Sequence, residues 1–185
     1  MPEILRCLTD RIATPIGVLV IVADREGRLR AIDWTDHEAR LMHLLERHYG
    51  RDGFALEPCS DPHGLSARMR RYFAGDLAAI DGVPGATRGT DFQRSVWRAL
   101  RDIPCGSTLS YAELARRIGR PAAVRAVGLA NGANPISIVV PCHRVIGADG
   151  SLIGYGGGIE RKRWLLAHER AAPARTDLFA AALAG

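Results

Sequence analysis

Apolar and polar residues alternate along the first part of the chain with the two-residue period of β-strands. Three stretches fit short strands, at residues 4–10, 16–23 and 29–34. The turn-forming run Asp24-Arg25-Glu26-Gly27 separates the second stretch from the third. Strands that follow one another through short turns pair antiparallel, so this part of the chain predicts a small antiparallel sheet.

The apolar period then lengthens to that of an α-helix. Residues 36–49 predict an amphipathic helix, residues 50–60 predict a loop, and residues 65–73 predict a second helix that ends at Gly75. Residues 76–89 contain three glycines and one proline, a composition typical of a linker.

Beyond the linker the chain is predicted to be mostly helical. Helices fit residues 91–100 and 111–118, and Ser110 with Glu113 forms a capping box that opens the second of these. A further helix fits residues 122–130. Two short helices joined by a glycine-containing turn of three or four residues have the form of a helix-turn-helix.

These patterns predict an α+β protein in two parts. A small α/β domain with an antiparallel sheet is expected over residues 1–86, and a mostly helical domain with the helix-turn-helix over residues 87–170. The Ala-rich residues 171–185 are expected to form a tail, either frayed or docked as a short helix.

A candidate nucleophile follows an apolar run in the second domain. Residues 136–140 predict a strand at the edge of the core, and Pro141, Cys142 and His143 come directly after it. A thiol attacks as the thiolate, which at neutral pH requires a base or a positive field. Neighbouring side chains of an extended chain point to opposite faces, so His143 is expected to reach Cys142 across a turn or through a water molecule. A small buried cysteine beside a surface histidine is the more frequent explanation of the bare triplet.

Charge is divided unevenly along the chain. The net charge is +5, but residues 1–87 carry −2 and residues 88–170, which include Cys142, carry +7. The basic half indicates a polyanionic substrate, with nucleic acid the first candidate, although a solvated Arg-rich surface would give the same balance. Arg125 stands in an otherwise small-residue helix that could approach a groove closely.

The composition is that of a globular protein, with 185 residues of which 47% are hydrophobic. No apolar run has the length of a membrane span and no signal peptide is evident, so we expect an intracellular, cytoplasmic protein with no membrane partner. The four cysteines have long, irregular spacings and predict reduced thiols. The spacings of His37, His43 and His48 do not match a helical metal pair, and we predict no metal and no cofactor.

Short motifs run through the second domain in a definite order. They are Thr90-Asp91-Phe92-Gln93, Trp97, Ile103-Pro104, Ser110-Tyr111, Arg125-Ala126-Val127-Gly128, Asn134-Pro135, Pro141-Cys142-His143-Arg144-Val145, Gly154-Tyr155, Gly157-Gly158 and Leu165-Leu166 with Glu169. In this order and spacing they resemble the O6-alkylguanine-DNA alkyltransferase family, also called methylated-DNA–protein-cysteine methyltransferases. The match is dense over residues 90–169 and looser in the first domain, for which the resemblance implies a ribonuclease-H-like fold.

The resemblance implies direct-reversal DNA repair. Cys142 would take the alkyl group from O6 of guanine, or less readily from O4 of thymine, and the stable thioether would limit each molecule to one reaction. His143 would act as the base through a water molecule, and Glu169 would orient the imidazole and stabilise its charge. Tyr111 would donate a hydrogen bond or a proton to the departing guanine.

The resemblance also implies how DNA is held. The partner would be double-stranded DNA carrying alkylated bases, contacted in the minor groove without regard to sequence. A monomer would bind it, and several could assemble cooperatively along the duplex. Arg125 would fill the space left by the rotated-out nucleotide, beside the small residues Ala123, Ala126 and Gly128.

Further residues are implied to form the substrate pocket. Asn134 would brace the turn before the active site, and the carbonyls of Cys142 and Val145 would accept from the guanine amine. Tyr155 and Gly156 would line the pocket. Many relatives have a serine where this chain has Gly156, so the preference among alkyl sizes and between guanine and thymine lesions stays open.

Two other functions compete with this interpretation. Alkyltransferase-like proteins share the same frame but lack the cysteine and only bind lesions, and Cys142 argues against that role here. A cysteine hydrolase with a Cys-His-Glu site would turn over repeatedly, but the basic half and the predicted helix-turn-helix fit it poorly.

Overall fold

The computed structural model describes residues 4–171 and begins with a four-stranded sheet. The strands are β1 (Leu5–Thr14), β2 (Gly17–Asp24), β3 (Leu29–Trp34) and β4 (Phe54–Pro58), in the order β3-β2-β1-β4. The three predicted strands are confirmed and pair antiparallel, with β1 continuing to Thr14 because all of its residues from Cys7 onward pair with β2.

The fourth strand corrects two predictions. Residues 54–58 were expected to lie in a loop, but they pair with β1 in parallel, so the sheet is mixed and not purely antiparallel. These five residues are half-buried or exposed and carry little periodic signal. Pairing with a strand about 50 positions away creates this strand, and a local pattern does not report such pairing.

Two helices pack against the four-stranded sheet. Helix α1 (Glu38–Tyr49) follows a short 3-10 turn and buries Leu41 and Leu45 with one face of the sheet. Helix α2 (Leu65–Phe73) packs against the opposite face of the sheet, where Leu19 and Ile21 are fully buried. Alternate residues of β2 thus serve two separate hydrophobic clusters, as the strand period requires.

The second half is mostly helical, as predicted. Its elements are α3 (Asp91–Arg101), β5 (Leu109–Ser110), α4 (Tyr111–Arg117), α5 (Val124–Gly132), β6 (Val145–Ile146) and α6 (Ile159–Ala171). The capping box of Ser110 with Glu113 is present and opens α4. Helices α4 and α5 pack together, but residues 118–123 connect them and make a longer link than the expected turn of three or four residues.

The strand predicted at residues 136–140 is absent, and the chain turns there instead. Asn134 imposes the turn: its Nδ2 donates to the Val140 carbonyl at 2.8 Å, and its Oδ1 accepts from the Ile136 N–H at 3.0 Å. Ile138 has φ 73°, in the left-handed region that a β-branched residue adopts only under strong constraint. The apolar run is therefore a buried turn that leads into the active site.

One hydrophobic cluster joins the two halves of the described chain. It contains Trp34 and Tyr72 from the first half together with Leu100, Ile136 and Leu165 from the second. The division of the chain at residues 86 and 87 remains a prediction, and residues 172–185 of the predicted tail lie outside the described residues. No helix among residues 4–171 is long and apolar enough to span a bilayer.

Candidate active site

Cys142 opens a short 3-10 turn, Cys142–Arg144, between the buried turn and β6. The residue is only 4% exposed. Burial raises the pKa of the Cys142 thiol, and the nearby Asn134, Arg40 and Lys162 only partly counter this effect. The resting sulfur is therefore protonated at neutral pH, so the thiolate has to be formed when a substrate is present.

His143 supplies a base beside this thiol. Its Nε2 lies 2.9 Å from Oε1 of Glu169, and both side chains are buried. Burial lowers the pKa of His143 although Glu169 opposes the shift, so the ring is neutral near pH 7. The bond to the carboxylate assigns the proton to Nε2, and Nδ1 then carries the free lone pair. Nδ1 has no hydrogen-bond partner among the described residues, which leaves it available to accept a proton.

Besides His143, two other side chains donate hydrogen bonds to Glu169. Arg144 donates to both carboxylate oxygens at 2.8 Å, and the Tyr72 hydroxyl donates to Oε1 at 2.9 Å. Burial alone would raise the pKa of Glu169, but His143 and Arg144 outweigh it and hold the pKa of this carboxyl far below its usual range. The site thus contains a permanent negative charge, paired on one side and facing the imidazole on the other.

Lys162 anchors the loop that covers the site. Its fully buried ammonium donates to the carbonyls of Val145 at 2.5 Å and Ile153 at 2.6 Å. Burial lowers the pKa of Lys162 to about 8. The Tyr111 hydroxyl donates to the same Ile153 carbonyl at 3.0 Å, and the Tyr111 ring packs against Gly128 of α5.

Two asparagines connect α5 and the turn after it to the active-site turn. Asn134 bonds the Val140 carbonyl, which also accepts from the backbone N–H of Cys142 at 2.8 Å. Asn131, at the end of α5, donates to the Cys142 carbonyl at 3.4 Å. The nucleophile's backbone is thus fixed from the helix that precedes it.

The predicted DNA-binding residues Arg125, Ala126 and Gly128 lie on α5, and Ala123 is its N-cap. Arg125 and Ala126 are exposed, whereas Ala123 and Gly128 are half-buried. Arg125 forms no hydrogen bond or ion pair with the rest of residues 4–171, so its guanidinium is free to meet a ligand.

The glycine-rich loop closes the opposite side of the site. Tyr155 is half-buried as a residue, but its hydroxyl is enclosed and unpaired within the described chain. Its ring meets His143 edge-on, with 6.5 Å between ring centroids. At Gly156 a Cβ atom would lie 2.4 Å from Cζ of Arg40, a residue of the first domain.

Contacts connect His143 with Glu169 and Tyr155, and Asn134 with the active-site turn, and the structure adds several residues that sequence reasoning missed. Tyr72, Arg40 and Lys162 had no assigned role, and neither did Asn131 or the side chain of Arg144. Arg144 lies in the motif around Cys142, and Tyr72 lies in Tyr72-Phe73-Ala74-Gly75, part of the looser match in the first half of the chain. No group of three or more His, Cys, Asp or Glu side chains within residues 4–171 has the geometry of a metal site.

A buried cysteine followed by a histidine that a carboxylate binds is the arrangement of a protein with a cysteine nucleophile. Residues 91–171 match the family described as 6-O-methylguanine DNA methyltransferase, DNA binding domain. Relatives that are 56% and 59% identical over about nine-tenths of the chain show that it belongs to the methylated-DNA–protein-cysteine methyltransferase family.

Curated relatives support this assignment over most of the chain. The Salmonella typhimurium methylated-DNA–protein-cysteine methyltransferase is 56% identical over 165 residues, covering 89% of this chain and 96% of that protein. The protein of the same name from Mycolicibacterium paratuberculosis is 59% identical over 170 residues, covering 90% and 94%.

Solved structures show the same fold. The Mycobacterium tuberculosis OGT in complex with DNA aligns with a TM-score of 0.74 and 45% identity, covering 92% of this chain and 96% of that one. The O6-methylguanine-DNA methyltransferase from Pyrococcus kodakaraensis aligns with a TM-score of 0.64 and 29% identity, covering 88% and 98%.

Proposed function

We propose that this protein repairs alkylated DNA by transferring the alkyl group from O6 of guanine, and less readily from O4 of thymine, to Sγ of Cys142. One observation carries the proposal. The residue after the buried thiol is a neutral histidine whose Nε2 is bound by Glu169 and whose Nδ1 is unpaired. A thiol that must lose its proton thus lies beside a base that has one place left to receive it.

The proton moves first in the proposed reaction. The Cys142 proton passes through a bridging water molecule to Nδ1 of His143, and Glu169 stabilises the imidazolium that forms. The thiolate then attacks the alkyl carbon, the S–C bond forms, and the C–O bond to the base breaks. The departing guanine takes a hydrogen bond or a proton from Tyr111, whose hydroxyl turns away from the Ile153 carbonyl to do so. No step cleaves the thioether, so each molecule reacts once.

Helix α5 is the proposed DNA contact. Its small outer residues suit a minor groove read without regard to sequence, and Arg125 would occupy the stack in place of the rotated-out nucleotide. The carbonyls of Cys142 and Val145, near Tyr155, are the proposed acceptors for the guanine amine. The protein is proposed to act as a monomer, and several copies could bind cooperatively along DNA.

Mass spectrometry tests the proposal directly. The protein is incubated with a duplex containing one O6-methylguanine, and the Cys142 peptide is expected to gain one methylene, with at most one product formed per protein molecule. Cys142→Ala serves as the control and should leave the lesion unrepaired. An unchanged peptide mass would contradict the proposal, and repeated turnover without protein modification would indicate a hydrolase instead.

A further inference from the structure

Arg40 belongs to α1 in the first domain, yet its guanidinium lies at the active-site loop. Its Nη2 donates to the carbonyl of Gly132, the last residue of α5, at 2.8 Å, and lies 3.4 Å from the Asn134 carbonyl. Its Nη1 pairs with the buried carboxylate of Asp33. One side chain thus connects the sheet of the first domain to the end of the proposed DNA-binding helix.

The contact continues to the nucleophile. Arg40 holds the backbone of Asn134, and the Asn134 amide holds the Val140 carbonyl, which accepts the backbone N–H of Cys142. The guanidinium also adds positive charge near the sulfur, together with Lys162, and so favours the thiolate. The hydroxyls of Tyr111 and Tyr155 also interact with this sulfur, and His143 is its neighbour in the chain.

Gly156 provides the space that Arg40 needs. A Cβ atom at this position would lie 2.4 Å from Cζ, 2.5 Å from Nη2 and 2.7 Å from Nε of the guanidinium. The end of an arginine side chain can usually move aside at little cost. Here Asp33 and the two carbonyls tie it down, so any side chain at position 156 displaces the guanidinium from its partners.

We propose that Arg40 is a positioning residue for the transfer reaction and that Gly156 is its matched partner, whose missing side chain admits the guanidinium. This inference rests on the proposed function and adds to it a residue from outside the second domain. It also gives the glycine at position 156 a physical reason. The glycine-rich loop has no side chain at position 156, and the guanidinium of Arg40, from the first half of the chain, occupies that space.

A double-mutant cycle tests the pairing. Arg40→Ala and Gly156→Ala are each expected to slow single-turnover methyl transfer from duplex DNA about tenfold, because each removes the guanidinium from its place. Once Arg40 is absent, adding Gly156→Ala should slow the reaction by no more than about twofold further. Fully additive losses would overturn the inference.

A second measurement distinguishes a positioning role of Arg40 from a role in simply joining the two halves of the chain. The reaction of Cys142 with iodoacetamide as a function of pH should shift to higher pH in Arg40→Ala, and Arg40→Lys should restore part of the shift because it keeps the charge. The matched control is Arg161→Ala, because Arg161 also bridges the two halves, through the Ile16 carbonyl and Asp36. An equal shift in the control, or none in Arg40→Ala, would refute the proposal. If Arg40→Ala does not fold, the same pH profile measured on Arg40→Lys tests the proposal.

The two proposals fail separately. If the unaltered protein transfers no methyl group, the proposed function is wrong, whereas the iodoacetamide profile still reports on Arg40. If methyl transfer is one-to-one but the variants behave additively, only the pairing of Arg40 with Gly156 is wrong.

Discussion

Glu169 accepts a hydrogen bond from Nε2 of His143 at 2.9 Å, across 26 positions of the chain and with both side chains withdrawn from solvent. This bond decides which nitrogen of the ring is free. It also places a fixed negative charge where a positive charge would arise during proton transfer. The pair therefore sets both the direction of the proton and the energy of the charged ring.

Replacing this carboxylate should affect rate and stability together. In Glu169→Gln the imidazolium loses its counter-charge, so single-turnover methyl transfer should fall roughly 100-fold. Arg144 would remain buried without an ionic partner, and the free energy of unfolding should fall by about 3–5 kcal/mol. Reactions with methylated duplex, stopped at set times, measure the rate of transfer. Urea denaturation measures the free energy of unfolding.

Tyr72→Phe is the control for that substitution. It removes one hydrogen bond to the same oxygen but leaves the charge, so the expected loss is about 1 kcal/mol of stability with little change in rate. If both variants slow transfer equally, the charge of Glu169 is not what assists the reaction.

Stability should decrease as the solution becomes more acidic. Burial lowers the pKa of His143, so below the unfolded-state value of about 6.5 the unfolded chain binds a proton that the folded chain does not. The free energy of unfolding should therefore drop between pH 7 and 5. Glu169, whose pKa is lowered by its partners against the effect of burial, extends the loss below about pH 4.3.

Denaturant titrations at several pH values measure this slope. His143→Gln should flatten it between pH 7 and 5. Burial also lowers the pKa of His48, so His48→Gln should remove a separate share of the slope. A slope that His143→Gln leaves unchanged would show that this histidine titrates normally in the folded protein.

Arg125 should matter for DNA and not for the chemistry at sulfur. Arg125→Ala should weaken transfer from duplex DNA by roughly 10- to 100-fold, because the rotated-out state loses the group that fills the stack. Reaction with free O6-methylguanine base should stay unchanged. Both are measured as loss of reactive Cys142 over time.

The matched control for Arg125 is Arg120→Ala, which removes one exposed positive charge from the link that precedes α5. Loss of a single general attraction to phosphate should cost only about twofold at moderate salt. Equal losses for the two variants would mean that Arg125 acts through its charge alone.

Lys162 is predicted to be structural as well as electrostatic. Lys162→Met keeps most of the stem but leaves the carbonyls of Val145 and Ile153 without their donor, so the free energy of unfolding should fall by about 1–3 kcal/mol. The neighbouring Arg163 is exposed and within the described residues pairs only with Glu160, so Arg163→Met should change the free energy of unfolding by no more than about 0.5 kcal/mol. Urea denaturation compares the two, and equal effects would contradict the anchoring role.

Local signals in the sequence were sufficient for some elements and not for others. The capping box of Ser110 with Glu113 is encoded within four residues, and it forms as predicted. The apolar run at 136–140 fits a strand by its local pattern, but Asn134, which precedes it, turns it back on itself. The strand at 54–58 arises from pairing with β1, which is distant in sequence.

The same reason explains which site residues were missed. Cys142 and His143 are adjacent, so their chemistry can be inferred from a motif. Tyr72 approaches Glu169 across 97 positions and Arg40 approaches Gly132 across 92, and no short pattern reports such encounters. Contacts between distant parts of the chain are decided by packing of the whole molecule.

The burial of Cys142 has a consequence for the lifetime of the protein. A molecule that can react only once is wasted if its sulfur is consumed by a stray oxidant or electrophile. Thiols are spent by such reagents mainly as exposed thiolates, and this one is kept protonated and out of contact with solvent. For the proposed single-turnover reaction, this enclosure keeps the sulfur intact until a lesion reaches it.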